Sequence, residues 1–258
     1  MRALVTGASS GIGRAIAGEL AERGFDLVIA ARHDDLLDAA DSLRRPGIEV
    51  TPVRADLATA AGVDRLVAAL AGRPLAVAAL NAGTAAGGAF GTGSRLEDQL
   101  AVVDLNVRGT VQLAHHVTAA MVARGQGRML FTSSIAANMP GPFDAVYNAS
   151  KSFVQSFALA LRNELKDTGV TVTSLMPGPS DTALFEKAGM GDTRVGAGPK
   201  DDHAEVARMG VEALLAGKER ATASSLRTRL EAVVSRLVPD AVKAELHRRM
   251  SEPGSAPR

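Results

Sequence analysis

Tyr147 and Lys151 stand four residues apart in a segment where Val146, Ala149, Phe153, Phe157, Ala160 and Leu161 recur at helical spacing. Positions i and i+4 share a helix face, so the phenol and the ammonium point into the same space. A tyrosine by itself is a poor acid–base catalyst at neutral pH, because its ordinary pKa is about 10. A fixed cation favours tyrosinate, and bringing the phenol near neutrality needs only ~4 kcal/mol. The spacing therefore predicts that Lys151 lowers the pKa of Tyr147. The chain has a single tyrosine, so no other phenol is available. Taken alone, the pair is more simply read as a chance pairing on a solvated helix, and the surrounding elements must decide.

The first of those elements opens the chain. Ala3, Leu4 and Val5 form a short apolar run that predicts a buried strand. Gly7, Gly11 and Gly13 follow, with Ser9, Ser10 and Ile12 between them, and residues 14–23 continue in helical periodicity. Strand, glycine turn, helix is the context a phosphate-binding turn requires. Glycines let the backbone approach a pyrophosphate, and the helix start offers unpaired N–H groups and positive potential. The competing reading is a tight structural turn.

A second strand is predicted over residues 26–31 and ends in Ala31 followed by Arg32. The end of this strand is where a cofactor ribose would lie. An acidic residue there would bind a free 2′-hydroxyl. Ala31 does not, and Arg32 favours a 2′-phosphate, so NADP(H) is expected over NAD(H). Arg14 could add a second charge or only face solvent, and Asp34 or Asp35 reaching back would restore NAD. An ordinary solvated loop is the alternative for Arg32.

Further strands are predicted over residues 48–53, 75–80, 129–132 and 170–175. Asp56-Leu57, Asn81-Ala82-Gly83, Ser133-Ser134 and Pro177-Gly178 follow four of these in turn. Such carboxyl ends are where open α/β sheets place their sites. Residues 95–124 read as one long helix with Asn106 inside it, flanked by Leu105 and Val107. A buried amide there needs partners or a function. His115 and His116 in the same helix read as surface or interface residues. Residues 84–94 and the glycine-rich 189–199 read as loops, the second a mobile one. In the last forty residues Leu226, Leu230, Val233, Val234, Leu237 and Val238 make one apolar helical face. That helix is either packed against the domain or a second subunit, or lies on a membrane surface. Residues 251–258 read as a disordered tail.

Composition bounds the function. The 258 residues suit one α/β domain, taken as residues 1–250, and 46% are apolar. No cysteine is present, which excludes disulfides, thiol nucleophiles and cysteine metal sites. No cluster of metal ligands stands out, so no metal site is expected. A net charge of +1 gives no global field for nucleic acid. Without a leader-like start or a run of roughly 18 apolar residues, a cytoplasmic protein with no membrane span is expected.

Alternating strands and helices at this spacing mean a parallel sheet covered on both faces. TGASSGIG at 6–13, Asp56, NAG at 81–83, LNVRG around Asn106, Ser134, YNASK at 147–151 and PGPSDT at 177–182 come in one order. With these motifs the chain resembles the short-chain dehydrogenase/reductase family, in its single-domain branch of about 250 residues. The resemblance implies a Rossmann-type, doubly wound α/β fold with a seven-stranded parallel sheet, whose final strand, near 219–223, is poorly apolar here. It implies hydride transfer between a nicotinamide and a carbonyl or secondary alcohol.

By the same resemblance Tyr147 would be the general acid/base, and Lys151 would lower its pKa and hold the nicotinamide ribose. Ser134, rather than Ser133, would bind the substrate oxygen, and Asn106 would position a water leading from Lys151 to solvent. Gly7, Ser9, Ser10, Gly11, Ile12 and Gly13 would face the pyrophosphate. Asp56 and Leu57 would flank the adenine, with Asn81, Ala82 and Gly83 on the adenine ribose side. Pro177, Gly178 and Thr182 would meet the nicotinamide, Thr182 at its carboxamide.

Substrate contacts would come from residues 84–94, 135–143 and 183–200. The long helix and the Tyr147 helix, apolar on more than one face, imply a homodimer or homotetramer. The rival readings are a catalytically silent NADP(H)-binding regulator on the same fold and a sugar-nucleotide epimerase of the extended branch.

Overall fold

A computed structural model describes residues 1–180, 184–222 and 238–256. Seven strands, all parallel, lie in the order β3-β2-β1-β4-β5-β6-β7. They are β1 (Arg2–Thr6), β2 (Asp26–Ala31), β3 (Val50–Arg54), β4 (Val77–Leu80), β5 (Gly127–Thr132), β6 (Val170–Leu175) and β7 (Arg220–Ala221). The expected boundaries agree to within a few residues. β7 is only two residues long, consistent with its weak apolar signal, and pairs Arg220 with Ser174 and Ala221 with Leu175.

Side chains alternate across the strands, and the sheet is covered on both faces as a result. Ala3 and Val5 pack with Ile16 and Leu20 of α1 (Gly11–Glu22), Leu36 of α2 (Asp35–Leu43) and Val206 and Val211 of the helix His203–Leu215. Leu4, one residue out of phase, packs on the other side. There it meets Leu66 of α3 (Ala60–Leu70), Leu113 of the helix Thr110–Ala123 and Val154 of the helix Ala145–Glu164. Capping fixes two of these helix starts. The Thr59 hydroxyl accepts from Gly62 N–H at 3.0 Å, and the Asp202 carboxylate from Ala204 N–H at 2.8 Å.

Strand order reverses direction between β1 and β4, which opens a crevice at their carboxyl ends. That crevice is tied shut at its base by Thr6, whose hydroxyl accepts from the N–H groups of Asn81 (2.9 Å) and Ala82 (3.0 Å).

Three expectations change. The long helix is continuous but not uniform: α4 (Leu96–Val103) passes through a π-helical segment, Asp104–Gly109, into α5 (Thr110–Ala123). The wider turn carries Asn106, whose side chain is buried there. The stretch 189–199 is not a plain loop. It contains a helical turn, α8 (Arg194–Ala197), capped by the Thr193 hydroxyl.

The expected disordered tail is likewise tied down as far as residue 256. Ser251 ends the C-terminal helix Asp240–Ser251, and the Asp192 carboxylate accepts from Gly254 N–H at 2.9 Å. The Asp192 carbonyl accepts from Ala256 N–H (2.9 Å), and Arg194 Nε donates to Ser255 O (3.1 Å). Polar residues that composition alone assigns to solvent find partners on α8. The apolar face expected from Leu226 to Leu237 lies outside the described residues. Among the described residues, no helix is long and apolar enough to cross a membrane.

Candidate active site

The helix α6 (Ala145–Glu164) starts directly after the loop that leaves β5, and this brings the catalytic candidates together. Ser134 follows the end of β5 with its hydroxyl accepting from Ala136 N–H at 3.2 Å, close enough to the Tyr147 phenol to influence its ionisation. Ser133 points elsewhere. Its hydroxyl donates to the Lys151 carbonyl at 2.9 Å and so pins α6 to the strand. Lys151 is buried, with Nζ 5.7 Å from the centre of the Tyr147 ring and donating to Thr132 O at 3.0 Å.

Asn106 is buried with both amide donors committed and its oxygen accepting once. Its Nδ2 donates to Thr84 O and Ser150 Oγ, both at 2.9 Å, and its Oδ1 accepts from Thr84 N–H at 2.8 Å. Ser150 in turn donates to the Tyr147 carbonyl at 2.7 Å. The π segment is thereby fastened to α6. Gly83 fits between them: a Cβ there would stand 3.2 Å from both Asn106 Oδ1 and Lys151 Nζ.

The electrostatics correct one expectation. The Tyr147 phenol is pushed up from its ordinary value, by burial first and by the Asp144 carboxyl second, while the nearby Ser134 hydroxyl pulls it down. The proximity of Lys151 does not prevail. Tyr147 packs on the apolar cluster of Ala85, Ala188 and Met190, and that desolvation outweighs the cation. Burial also lowers Lys151 to about 8, so this ammonium is itself poised to discharge above neutrality.

Sequence reading missed Asp144. It is buried at the start of α6 with one carboxyl oxygen unpartnered, and burial raises it to about 8. An acidic residue three before the tyrosine, at a helix start, was the signal that could have found it.

On the cofactor side, Gly7 and Gly11 take positive φ, +66° and +52°. A Cβ on Gly13 would collide with the Gly7 carbonyl, so the turn closes only on glycine. The first turn of α1 has no acidic side chain, and Ser10 at its cap makes no side-chain bond to it. Its N–H groups suit a pyrophosphate in chemistry and in space, beside Ser9 and Ile12. The residues present therefore fit a dinucleotide.

Asn81 is committed structurally: its Nδ2 donates to Thr6 O (3.2 Å) and its Oδ1 accepts from Thr132 Oγ1 (3.0 Å). Only its backbone, with that of Ala82 and Gly83, remains for a ribose. The Asp56 carboxylate accepts from Ala58 N–H at 3.1 Å, next to buried Leu57. The Pro177 carbonyl accepts from Ile135 N–H at 3.0 Å, which sets Pro177 and Gly178 beside Ser134. Thr182 lies outside the described residues.

At the end of β2, Ala31 is buried and the Arg32 side chain is exposed, with Nε 3.2 Å from His33 Nε2. Parallel register sets Arg54 opposite Ala31, a second cation that the sequence did not reveal. Arg54 pairs with Asp34 at 2.8 Å, which draws that carboxylate towards β3. Arg14 turns away and donates to Ser42 Oγ at 2.9 Å, so it adds no charge beside Arg32. His115 and His116 are exposed on α5. Among the described residues, no group of three or more metal-ligating side chains is assembled.

The sequence pattern of the family described as short chain dehydrogenase matches residues 1–192. A sulfoacetaldehyde reductase of Chromohalobacter salexigens is 35% identical over 184 residues, 69% of this chain and 72% of the relative. A short-chain dehydrogenase from Sphingobium yanoikuyae, solved in complex with NADPH, superimposes with a TM-score of 0.81 at 27% identity, over 92% of this chain and 93% of its own. A short chain dehydrogenase/reductase from Burkholderia phymatum, solved in complex with NAD, reaches 0.80 at 25% identity, over 97% and 96%.

Proposed function

Because this chain belongs to the short chain dehydrogenase family, we propose that it transfers a hydride between NADP(H) and a carbonyl or secondary alcohol, with Tyr147 as proton donor and acceptor. The observation that carries this reading is the meeting of the Ser134 hydroxyl, the Tyr147 phenol and the Lys151 ammonium, which lies 5.7 Å from the tyrosine ring centre. A bound nicotinamide would supply the hydride. Tyr147 holds its proton at neutral pH, because burial raises its pKa, and can give that proton to a carbonyl oxygen. Ser134 stands within reach of the same oxygen and would stabilise charge developing there. Lys151 donates to Thr132 and keeps N–H groups for a ribose hydroxyl. Asn106 positions: both of its amide donors go to Thr84 and Ser150, so a water leading from Lys151 would be held by backbone or by the remaining lone pair of Oδ1.

The preference for NADP(H) rests on Ala31, Arg32 and Arg54. No acid ends β2 to select a free 2′-hydroxyl, and Asp34 is engaged with Arg54. A guanidinium can place two charge-assisted bonds on a phosphate, about 1.5–3 kcal/mol each before solvent screening. The relatives divide, one solved with NADPH and one with NAD, so the test must be direct. Reduced nicotinamide is consumed with a panel of aldehydes and ketones, and kcat/KM for NADPH exceeds that for NADH by about ten- to a hundredfold. Arg32→Ala removes most of that ratio. No turnover of any carbonyl leaves the silent regulator, and equal use of both cofactors removes Arg32 from the argument.

A second copy of this chain would cover the apolar face of α4, α5 and α6. Leu96, Leu100, Val103, Val111 and Phe153 are exposed there. An open groove beside them is lined by Phe90, Val103, Val107, Ala145, Val146 and Ala149. Apolar side chains exposed side by side are the kind of surface a second subunit covers. Light scattering at micromolar concentration gives a dimer or tetramer mass, and a monomer mass sinks the reading.

A further inference from the structure

The C-terminal helix Asp240–Ser251 is seated with its polar side on the domain. A surface helix ordinarily turns its apolar stripe inward. Here Val242, Leu246 and Met250, four residues apart in turn, are exposed, while His247 and Ser251 are buried. That polar side covers the junction that feeds α6. The His247 ring meets Pro142 and Asn148, and the Arg248 guanidinium lies 5.2 Å from the centre of the Phe143 ring. Phe143 takes a φ of +63°, a left-handed conformation that a bulky residue keeps only where its surroundings impose it. Gly88 N–H holds the Phe143 carbonyl at 2.8 Å, and Arg248 holds its ring.

Asn148, next to Tyr147, ties the junction to Ser134. Its Nδ2 donates to Ala136 O at 3.3 Å and to Met139 O at 3.2 Å, and Ala136 N–H is the group that the Ser134 hydroxyl binds. His247 Nε2 lies 3.4 Å from the same Nδ2. An amide nitrogen only donates, so the imidazole accepts there through an unprotonated nitrogen and shares a hydrogen with one of the two carbonyls. Burial lowers the pKa of His247 and so favours the neutral ring, against a smaller opposite pull from the Pro142 backbone. Three acceptors around Nδ2 thus fix the orientation of the amide. Beyond the helix the chain runs on to the opposite wall. There α7 (Leu184–Lys187) and α8 pack Leu184, Phe185 and Val195 on the Tyr147 cluster, and residues 254–256 bind Asp192 and Arg194.

We infer that His247 is a positioning residue of the active site, acting through Asn148 on Ser134 and Tyr147, with Arg248 holding Phe143 beside it. The inference rests on the reading that Ser134 and Tyr147 carry the proton chemistry. His247 lies beyond residues 1–192, where the match to the family pattern ends, so the pattern does not make this assignment. A helix 99 residues away in sequence from Asn148 thereby sets the segment that joins the two catalytic candidates. Small displacements of such groups cost rate rather than cofactor binding.

The test compares His247→Leu and His247→Gln with the parent, in turnover of the best carbonyl substrate and in binding of NADPH and NADH. Leucine fills the space without an acceptor, and kcat is expected to fall about tenfold with cofactor affinity unchanged, because the glycine turn is built on β1 and α1. Glutamine restores an acceptor and brings kcat back to within about twofold of the parent. An unchanged kcat in the leucine variant overturns the inference. So does an equal loss in both variants, which would make volume the only requirement, and so does a cofactor affinity that falls as far as kcat. Should the leucine variant fail to fold, Arg248→Ala decides from the surface: kcat is expected to fall about threefold, and an unchanged kcat overturns the inference. If the parent turns nothing over, the hydride-transfer reading falls and hydrogen exchange decides the inference separately. Amides of residues 136–148 then exchange about tenfold faster in His247→Leu than in the parent or His247→Gln, and equal exchange in all three overturns it.

Discussion

The turn from Thr6 to Gly13 and the wall around Tyr147 lie at the carboxyl ends of the same sheet, yet they are built by opposite means. The turn is made of backbone. Its shape follows from two positive φ values and from the absence of a Cβ at Gly13. Its residues are neighbours in sequence, and its ligand contacts would be N–H groups at a helix start. The wall is made of side chains. Ala85, Tyr147, Met190 and Val195 come from segments up to about a hundred residues apart, and their common property is the removal of water. A site of the first kind recognises a constant group. A site of the second kind sets the chemistry and the selection of a variable one.

The sharpest way to test that division is to remove a single oxygen from the wall. Tyr147→Phe keeps the ring against Ala85 and Met190 and loses only the proton. kcat is expected to fall by about 10²–10⁴-fold with cofactor affinity unchanged, as read by steady-state turnover and nicotinamide binding. A variant that keeps more than a few per cent of kcat would show that another group supplies the proton.

The matching change in the turn adds a carbon instead. Gly13→Ala brings a methyl against the Gly7 carbonyl, so the strand and the helix must part. Urea unfolding should show a loss of about 1–3 kcal/mol, with cofactor affinity weakened alongside. Unchanged stability with unchanged affinity would mean that the turn is not held by that contact.

A third test separates burial from charge. Asp144 titrates at 3.8 when unfolded and at about 8 in the folded protein. Between those values the folded state holds a proton that the unfolded state has lost, so stability falls as pH rises across that window. Asp144→Asn should flatten this part of the profile relative to the parent, measured by urea unfolding from pH 5 to pH 8. Parallel profiles would show that Asp144 is not desolvated.

How much of the molecule was legible follows the same line. The strand before Gly7 and the helix after it could be read because apolar periodicity and glycine spacing are local quantities. So could the pair Tyr147 and Lys151, since a helix fixes what lies four residues on. Arg54 could not be read as a neighbour of Ala31, because only the parallel register of β2 and β3 places it there. The tail at 251–256 reads as disordered by composition and is tied to Asp192 and Arg194, partners sixty residues away.

By itself the sequence determined the order of strands and helices, the glycine turn between β1 and α1, and which side chains are the candidates for the chemistry. Each follows from residue type and short-range geometry. Tertiary structure alone decided the direction in which Tyr147 is shifted. Helical spacing placed a cation beside the phenol and predicted a lower pKa. Packing of Ala188 and Met190 against that phenol, with a buried Asp144 one turn before it, raises it instead. Desolvation depends on everything that surrounds a group, and no spacing along one helix contains that information.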